Sequence, residues 1–408
     1  MKRLRAELKA AHVFEHRERA GWIKLALMLA ALFACCTGIA LGPVWCWLLL
    51  VPAAALATTT ATLIGHEGSH GSFSANSRSS QLLVHLTLPL FAGISGLYWK
   101  HKHNGLHHGH PNVVGSDPDI DLWPIATSRA EYERSGPALR WFQRNLQGWL
   151  FWPASTTLAT FMRGPSYVFL LRQLRTRGLT KNLASDVGCL VAHYVLWVGV
   201  PSLVFGFWPA FALYMSVWAL VGVMLAVIFT PAHLGLPLMV DQHHGWRHQL
   251  ETTRNIRTPR WLAYFYVGLE HQLEHHIFPQ IPHQNLPRAS AIMRRWCAEL
   301  GLPYRDVGWF EAVRSVTVFV RDAWQIAPAA SSDVALPAHE PSSLSAHEPF
   351  IIENGRGIEN ARGFGTRRLP SLPPQSPAHK PSAADLRSRA EEPRASTTSH
   401  EQLSDLVC

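Results

Sequence analysis

The sequence predicts an all-α membrane protein with four transmembrane helices in two hairpins and a cytoplasmic helical cap. Composition and its distribution along the chain carry that expectation. Of 408 residues, 48% are hydrophobic and only 16% charged, against a charged share of about 25% in a typical soluble protein. The apolar excess is gathered into blocks close to the roughly 20 residues a helix needs to cross a bilayer. A formal net charge of +9 is shared among the segments flanking these blocks, where attraction to anionic headgroups accounts for it. No soluble basic domain is visible, which excludes nucleic-acid binding.

Ile23 to Leu41 and Val44 to Ile64 form the first pair of blocks, separated by the turn signal Gly42-Pro43. Val187 to Val204 and Ala210 to Phe229 form the second pair, flanking Gly206-Phe207-Trp208-Pro209. Orientation follows from the basic residues, which stay cytoplasmic when they lie in short flanking segments. Lys2, Arg3, Arg5, Lys9, Arg17, Arg19 and Lys24 lead into the first span, and Arg172, Arg175, Arg177 and Lys181 into the third, while the hairpin tips hold neither Lys nor Arg. Both termini are then cytoplasmic. The first span is too long for a removable signal peptide and lacks its small-residue cleavage site, so it reads as retained.

Two further apolar stretches do not read as spans. A full crossing by Leu82 to Trp99 would put the histidines on its two sides in different compartments, and Pro89, Gly93 and Gly96 permit a re-entrant or interfacial path instead. Phe151 to Leu171 is interrupted by Arg163-Gly164-Pro165 and reads as two short helices in the headgroup region. The chain thus divides into a basic cytoplasmic segment at 1–20, a membrane-embedded unit at 21–325 and a Pro/Ser-rich tail at 326–408. The tail's composition predicts disorder in the cytoplasm. Six cysteines without a Cys-x-x-Cys spacing read as free buried thiols.

The chemistry is carried by three histidine boxes, each just after an apolar stretch: His66-Glu67-Gly68-Ser69-His70, His103-Asn104-Gly105-Leu106-His107-His108 and His271-Gln272-Leu273-Glu274-His275-His276. Imidazole is the commonest side-chain ligand of transition metals, and a pair four residues apart on a helix shares one face. Adjacent histidines project about 100° apart, so one box can serve two ions. The expectation is a dinuclear metal site held by the cap. The first box also matches the His-Glu-x-x-His zinc-peptidase pattern, with Glu67 as general base. A peptidase needs only three protein ligands and an open position, which leaves the other boxes without a role. His85 and His193 read as structural, and His243-His244 with His248 as a solvated loop.

In this order and setting the boxes resemble those of the membrane fatty acid desaturases and their hydroxylase relatives. The stretch from Lys102-His103-Asn104 through His107-His108 to Pro111-Asn112 and Gly115-Ser116-Asp117-Pro118-Asp119-Ile120-Asp121 is similar to bacterial acyl desaturases. Thr252-Thr253-Arg254-Asn255 and Gln272-Leu273-Glu274-His275-His276-Ile277-Phe278-Pro279 resemble the front-end group, which desaturates between an existing double bond and the carboxyl end. The resemblance covers roughly residues 20 to 300. It implies a bacterial inner-membrane enzyme with two ferrous ions, held by His66, His70, His103, His107, His108, His275 and His276, with His233 in Thr230-Pro231-Ala232-His233 as a further ligand by position.

Two departures from the family stand out. Where stearoyl-type enzymes carry a water-holding Asn one turn before the equivalent of His233, this chain has Phe229. The fused haem domain of many eukaryotic front-end enzymes, marked by His-Pro-Gly-Gly, has no counterpart here. Electrons are therefore expected from a separate carrier, a ferredoxin or small cytochrome, docking on the basic face. The expected reaction uses O2 to place a double bond in a lipid acyl chain or acyl-CoA, with hydroxylation at the same site as the alternative. An apolar tunnel must hold the chain. Asp117, Asp119, Asp121, Glu67 and Glu274 are candidates to orient ligand rings. For the first position of the third box, ligand chemistry favours His271 over Gln272, with Gln272 as a hydrogen-bonding neighbour.

Overall fold

The computed structural model describes residues 1–240 and 245–328. Four helices are long and apolar enough to cross a membrane: Glu18–Leu41, Val44–Ser69, Lys181–Phe205 and Phe207–His233. All four contain the blocks expected as spans. Their outward faces carry Phe33, Leu48, Leu203 and Trp208, each at least 73% exposed. So much bare apolar surface is what a helix turns to lipid rather than to water. Inward, Leu25, Met28, Ala57, Ala61 and Ile228 of the first, second and fourth spans form one core with Tyr266 and Leu269 from beyond the spans.

The stretch between the second span and the second box is bent, not straight. Ser77–Ala92 and Gly96–His107 meet at 107°, and both halves finish in wide π-type turns, Leu86–Ala92 and Lys100–His107. The corner is Gly93 at φ +68, where a Cβ would lie 2.6 Å from His193 Nε2. Only glycine combines that backbone with that approach. Asp186, buried in the third span, accepts from Ser95 Oγ at 2.5 Å and the Leu97 amide at 3.0 Å, and lies 3.3 Å from His85 Nδ1. Those contacts satisfy backbone and hydroxyl donors that the bend frees. On the other side Gly65 lets the second span touch the bent segment, since a Cβ there would lie 1.8 Å from Thr87 Oγ1.

Phe151 to Leu171 is more broken than the two short helices expected. It runs through Gln147–Ala154, a 3₁₀ turn at Ser155–Thr157, Leu158–Phe161 and Arg163–Arg177. After the fourth span come the short helices Trp246–Thr252, Gln272–Ile277, Leu286–Glu299 and Trp309–Asp322; the last packs on the fourth span, while Gln272–Ile277 lies between Trp246–Thr252 and Leu286–Glu299. Asn255–Arg257 and Asp306–Gly308 pair as parallel strands in register Ile256 to Val307, the one sheet among the described residues.

The basic N-terminal segment is packed. Leu4, Leu8 and Val13 of and beyond helix Lys2–Ala10 are fully buried with Leu273, Ile277 and Met293. At the other end Ile326 packs on the cluster of Val316 and Phe319, and its carbonyl accepts from Arg129 N. Packing therefore passes the expected boundary at 325, and the tail from residue 329 lies outside the described residues. Of the described cysteines, all free, Cys35 and Cys297 are buried while Cys36 is exposed.

Candidate metal centre

Four segments deliver the histidines. His66 and His70 stand one turn apart where the second span ends, and Gly71 at φ +71 follows. The second box lies in the wide turns of Lys100–His107, where the His108 amide bonds back to the His103 carbonyl at 3.0 Å. That five-residue return sets His103 and His108 together with His107 beside them. His233 is the last residue of the fourth span. His275 and His276 lie on the short helix Gln272–Ile277.

The side chains meet as two adjoining sets. His66, His70, His103, His108 and His275 bring their ring nitrogens within 4.8 Å of one another, and His107, His233 and His276 do the same. Seven of the eight are buried, His108 partly so. In the larger set Nε2 atoms face Nε2 atoms: His66 to His103 at 2.8 Å, His70 to His66 and His108 to His103 at 3.2 Å. The Nε2 atoms of His233, His275 and His276 are buried without a hydrogen-bond partner among the described residues. Buried lone pairs converging on each other and left unpaired are costly unless a cation lies between them. The donor set fits ions that imidazole binds.

The outer ring nitrogens of the smaller set are each engaged. His107 Nδ1 meets both Asp117 oxygens at 3.1 and 3.2 Å, His233 Nδ1 the Thr252 carbonyl at 3.2 Å, and His276 Nδ1 the Gln249 Oε1 at 3.1 Å. A proton held on Nδ1 leaves Nε2 bare for a ligand. Asp117 is itself fixed by the amides of Asn112 and Asp119 at 2.8 and 2.9 Å. Burial, then neighbouring imidazoles, holds His275 and His276 well below the ordinary histidine range, so both are neutral, as metal ligation needs.

Not every expected residue joins. His271 is not brought together with the others: its Nε2 lies 3.9 Å from Glu270 Oε1, and it stands just before the first turn of the short helix, making no side-chain capping bond to it. Gln272 is buried, its Nε2 unpartnered among the described residues. Glu67 turns away from the boxes and accepts from both the amide and Nδ1 of His283 at 2.8 Å. A carboxylate so occupied is poorly placed as a peptidase base. Glu274 accepts from Asn255 Nδ2 and Tyr304 OH at 2.8 Å and is pushed up to about 7 by burial. Of the acidic candidates, Asp117 makes the hydrogen bonds that orient the His107 ring; Asp119, bonded to Lys102, also lies 3.4 Å from His107 Nδ1, and Asp121 is exposed.

His248 corrects the solvated-loop expectation. It is buried, with Nε2 bonded to the Pro111 carbonyl at 2.8 Å; His243 and His244 lie outside the described residues. His193 is structural as expected, bridging the Leu90 carbonyl and Tyr214 OH, and His85 faces Asp186. Sequence reasoning gave no role to Gln249, which also donates to the His108 carbonyl at 2.9 Å. Arg254 joins the Pro231 and Leu234 carbonyls, and Asn255 caps the third-box helix through the Leu273 amide at 2.8 Å. The motif containing these two residues thus ties His233 to the third box. Beside His66, Trp99 and Phe229 opens a cavity of about 30 Å³, and among the four spans lies another of about 220 Å³.

Comparison with known proteins bears on the same residues. The chain is 26% identical over 341 residues to the Delta(8)-fatty-acid desaturase 2 of Arabidopsis thaliana, covering 77% of this chain and 72% of that one. It is 27% identical over 325 residues to the sn-1 linoleoyl-lipid 6-desaturase of Arthrospira platensis, covering 74% and 85%. The family model described as fatty acid desaturase matches residues 45–308, a stretch that includes all eight clustered histidines. With well over half of the chain inside that match, the chain belongs to the fatty acid desaturase family.

Proposed function

We propose that the enzyme is a front-end acyl-lipid desaturase using two ferrous ions, one held by His66, His70, His103, His108 and His275, the other by His107, His233 and His276. As a family member it is a membrane oxidoreductase that desaturates fatty acyl chains with O2. The observation that carries the two-ion reading is the pair of adjoining histidine sets with three buried, unpaired Nε2 atoms. Iron at such a site supplies the oxidising power toward an unactivated methylene that side-chain acids and bases lack.

The chain's own residues do the rest. Asp117, Gln249 and the Thr252 carbonyl keep three rings in one tautomer. Phe229 and Trp99 wall the reacting position with apolar surface, excluding water and aligning the acyl chain. The name of the Arthrospira relative specifies a linoleoyl lipid, and that substrate class is taken here for this chain. The Lys and Arg distribution supports two hairpins with cytoplasmic termini and a cytoplasmic helical cap, and the resemblance of the second box to bacterial acyl desaturases supports a bacterial inner membrane. Electrons come from a separate carrier of the ferredoxin or small-cytochrome type.

The test is expression in a host lacking the activity, with lipid acyl profiles and iron per chain measured together. The reading requires a new double bond on the carboxyl side of an existing one and about two irons per chain. A hydroxylated product, or zinc in place of iron, overturns it.

A further inference from the structure

We propose that Trp218, held in place by Arg163, is the specificity-determining wall that sets how much acyl chain the enzyme accepts beyond the reacting carbons. The inference rests on the acyl-desaturase reading and concerns the two cavities. The smaller is lined by His66, Phe229, Leu225 and Trp218, so it begins at the candidate metal ligands and runs along one face of the fourth span. The larger, about 220 Å³, is lined by side chains from all four spans, Trp218 among them. One buried indole, 5% exposed, thus stands between the reacting position and the space for a methyl-terminal segment.

The way that indole is held sets it apart from ordinary packing. The Arg163 guanidinium is buried, its Cζ 4.0 Å from the Trp218 ring centroid and 5.3 Å from that of Tyr214. Its Nε and Nη2 both donate to the Ala92 carbonyl, at 3.3 and 3.0 Å. No carboxylate pairs with it among the described residues. A buried cation without a counter-charge is costly, and an apolar side chain would fill the same space without that cost. A guanidinium over the ring face does what an apolar neighbour does not: it favours one orientation of the indole. His193 supports the arrangement, its ring 6.0 Å from that of Trp218 and its Nε2 on Tyr214 OH at 2.7 Å. Arg163 is therefore a positioning residue acting through Trp218.

The experiment uses the full chain in host membranes supplied with linoleate and its homologues two carbons shorter or longer on the methyl side. Iron per chain is measured on the same preparations. Trp218→Ala is expected to keep its iron and to shift the kcat/KM preference toward the longer homologue by about tenfold, mainly through KM. Arg163→Met shifts it the same way by less, and Arg163→Lys, which keeps a cation, restores most of the wild-type preference. Ala54→Phe, filling the larger cavity, removes use of the longer homologue first. An unchanged length profile in an iron-loaded Trp218→Ala enzyme, or an equal loss for all homologues in Ala54→Phe, overturns the wall assignment. Should Trp218→Ala fail to fold, Ala54→Phe decides alone. Absence of product from every homologue with the wild-type protein would instead remove the acyl-chain reading, and the wall with it.

Discussion

At the residue scale, the histidines divide by what their outer nitrogens touch. His276 depends on Gln249 for its tautomer, and the same amide ties the second box to the helix Trp246–Thr252. Gln249→Leu is expected to lower iron affinity of the smaller set by about 10- to 100-fold, the usual effect of losing such a partner. Iron counted after dialysis against a weak chelator checks it; full retention would show that packing alone orients His276. For the third box, His271→Ala should keep its iron, whereas His275→Ala should lose it. Chemical type and spacing made the boxes legible in the sequence, because imidazole preference is local. Geometry separated His271 from the set, since the short helix begins only at Gln272 and residue 271 lies just outside its first turn. Gln249 was illegible because an amide becomes a ligand's partner only through a contact 27 residues away in the chain.

At the scale of elements, the spans were readable because hydropathy is summed over twenty residues and tolerates local error. The bend was only half readable. Pro89 and the glycines announced a departure from a straight helix, but its angle and its anchoring by Asp186 depend on a residue almost a hundred positions later. The contact of Gly65 with Thr87 makes this element testable. Gly65→Val places carbon where Thr87 Oγ1 now lies, an overpacking that costs typically about 1–3 kcal/mol. We expect a lower melting temperature and weaker iron retention at unchanged membrane insertion. A variant as stable and as iron-rich as the wild type would show that the bent segment can shift away from the second span without disturbing the site.

At the scale of the whole molecule, charge burial sets a pH window. Glu270 is buried and pushed up to about 7 from an ordinary 4.5 chiefly by that burial. A carboxyl with a raised folded-state value favours folding fully below its unfolded value, and the advantage is lost as pH rises through about 7. The change attributable to this group is at most about 3 kcal/mol. Glu270→Gln should therefore flatten the fall in thermal stability between about pH 4.5 and 7; an unaltered profile would assign the slope to other groups. The sequence-derived tail gives a second test at this scale. Because Ile326 packs, truncation after residue 328, unlike truncation after 325, is expected to leave iron binding and product formation largely intact.

The burial of Leu4, Leu8 and Val13 against the helices that carry and follow the third box has a consequence for how the molecule is made. Lys2–Ala10 is made before these partners and can meet them only when the region around Met293 has emerged. The histidines are subject to the same delay, since roughly 210 residues separate His66 from His276. At about 5–20 residues per second, the first two boxes stay unmatched for some tens of seconds or less while the third and fourth spans are inserted. Until synthesis reaches the third box, the imidazoles of the first two boxes lack the partners they meet in the folded protein, and the packing of Lys2–Ala10 on the helices around and after the third box can be completed only later still.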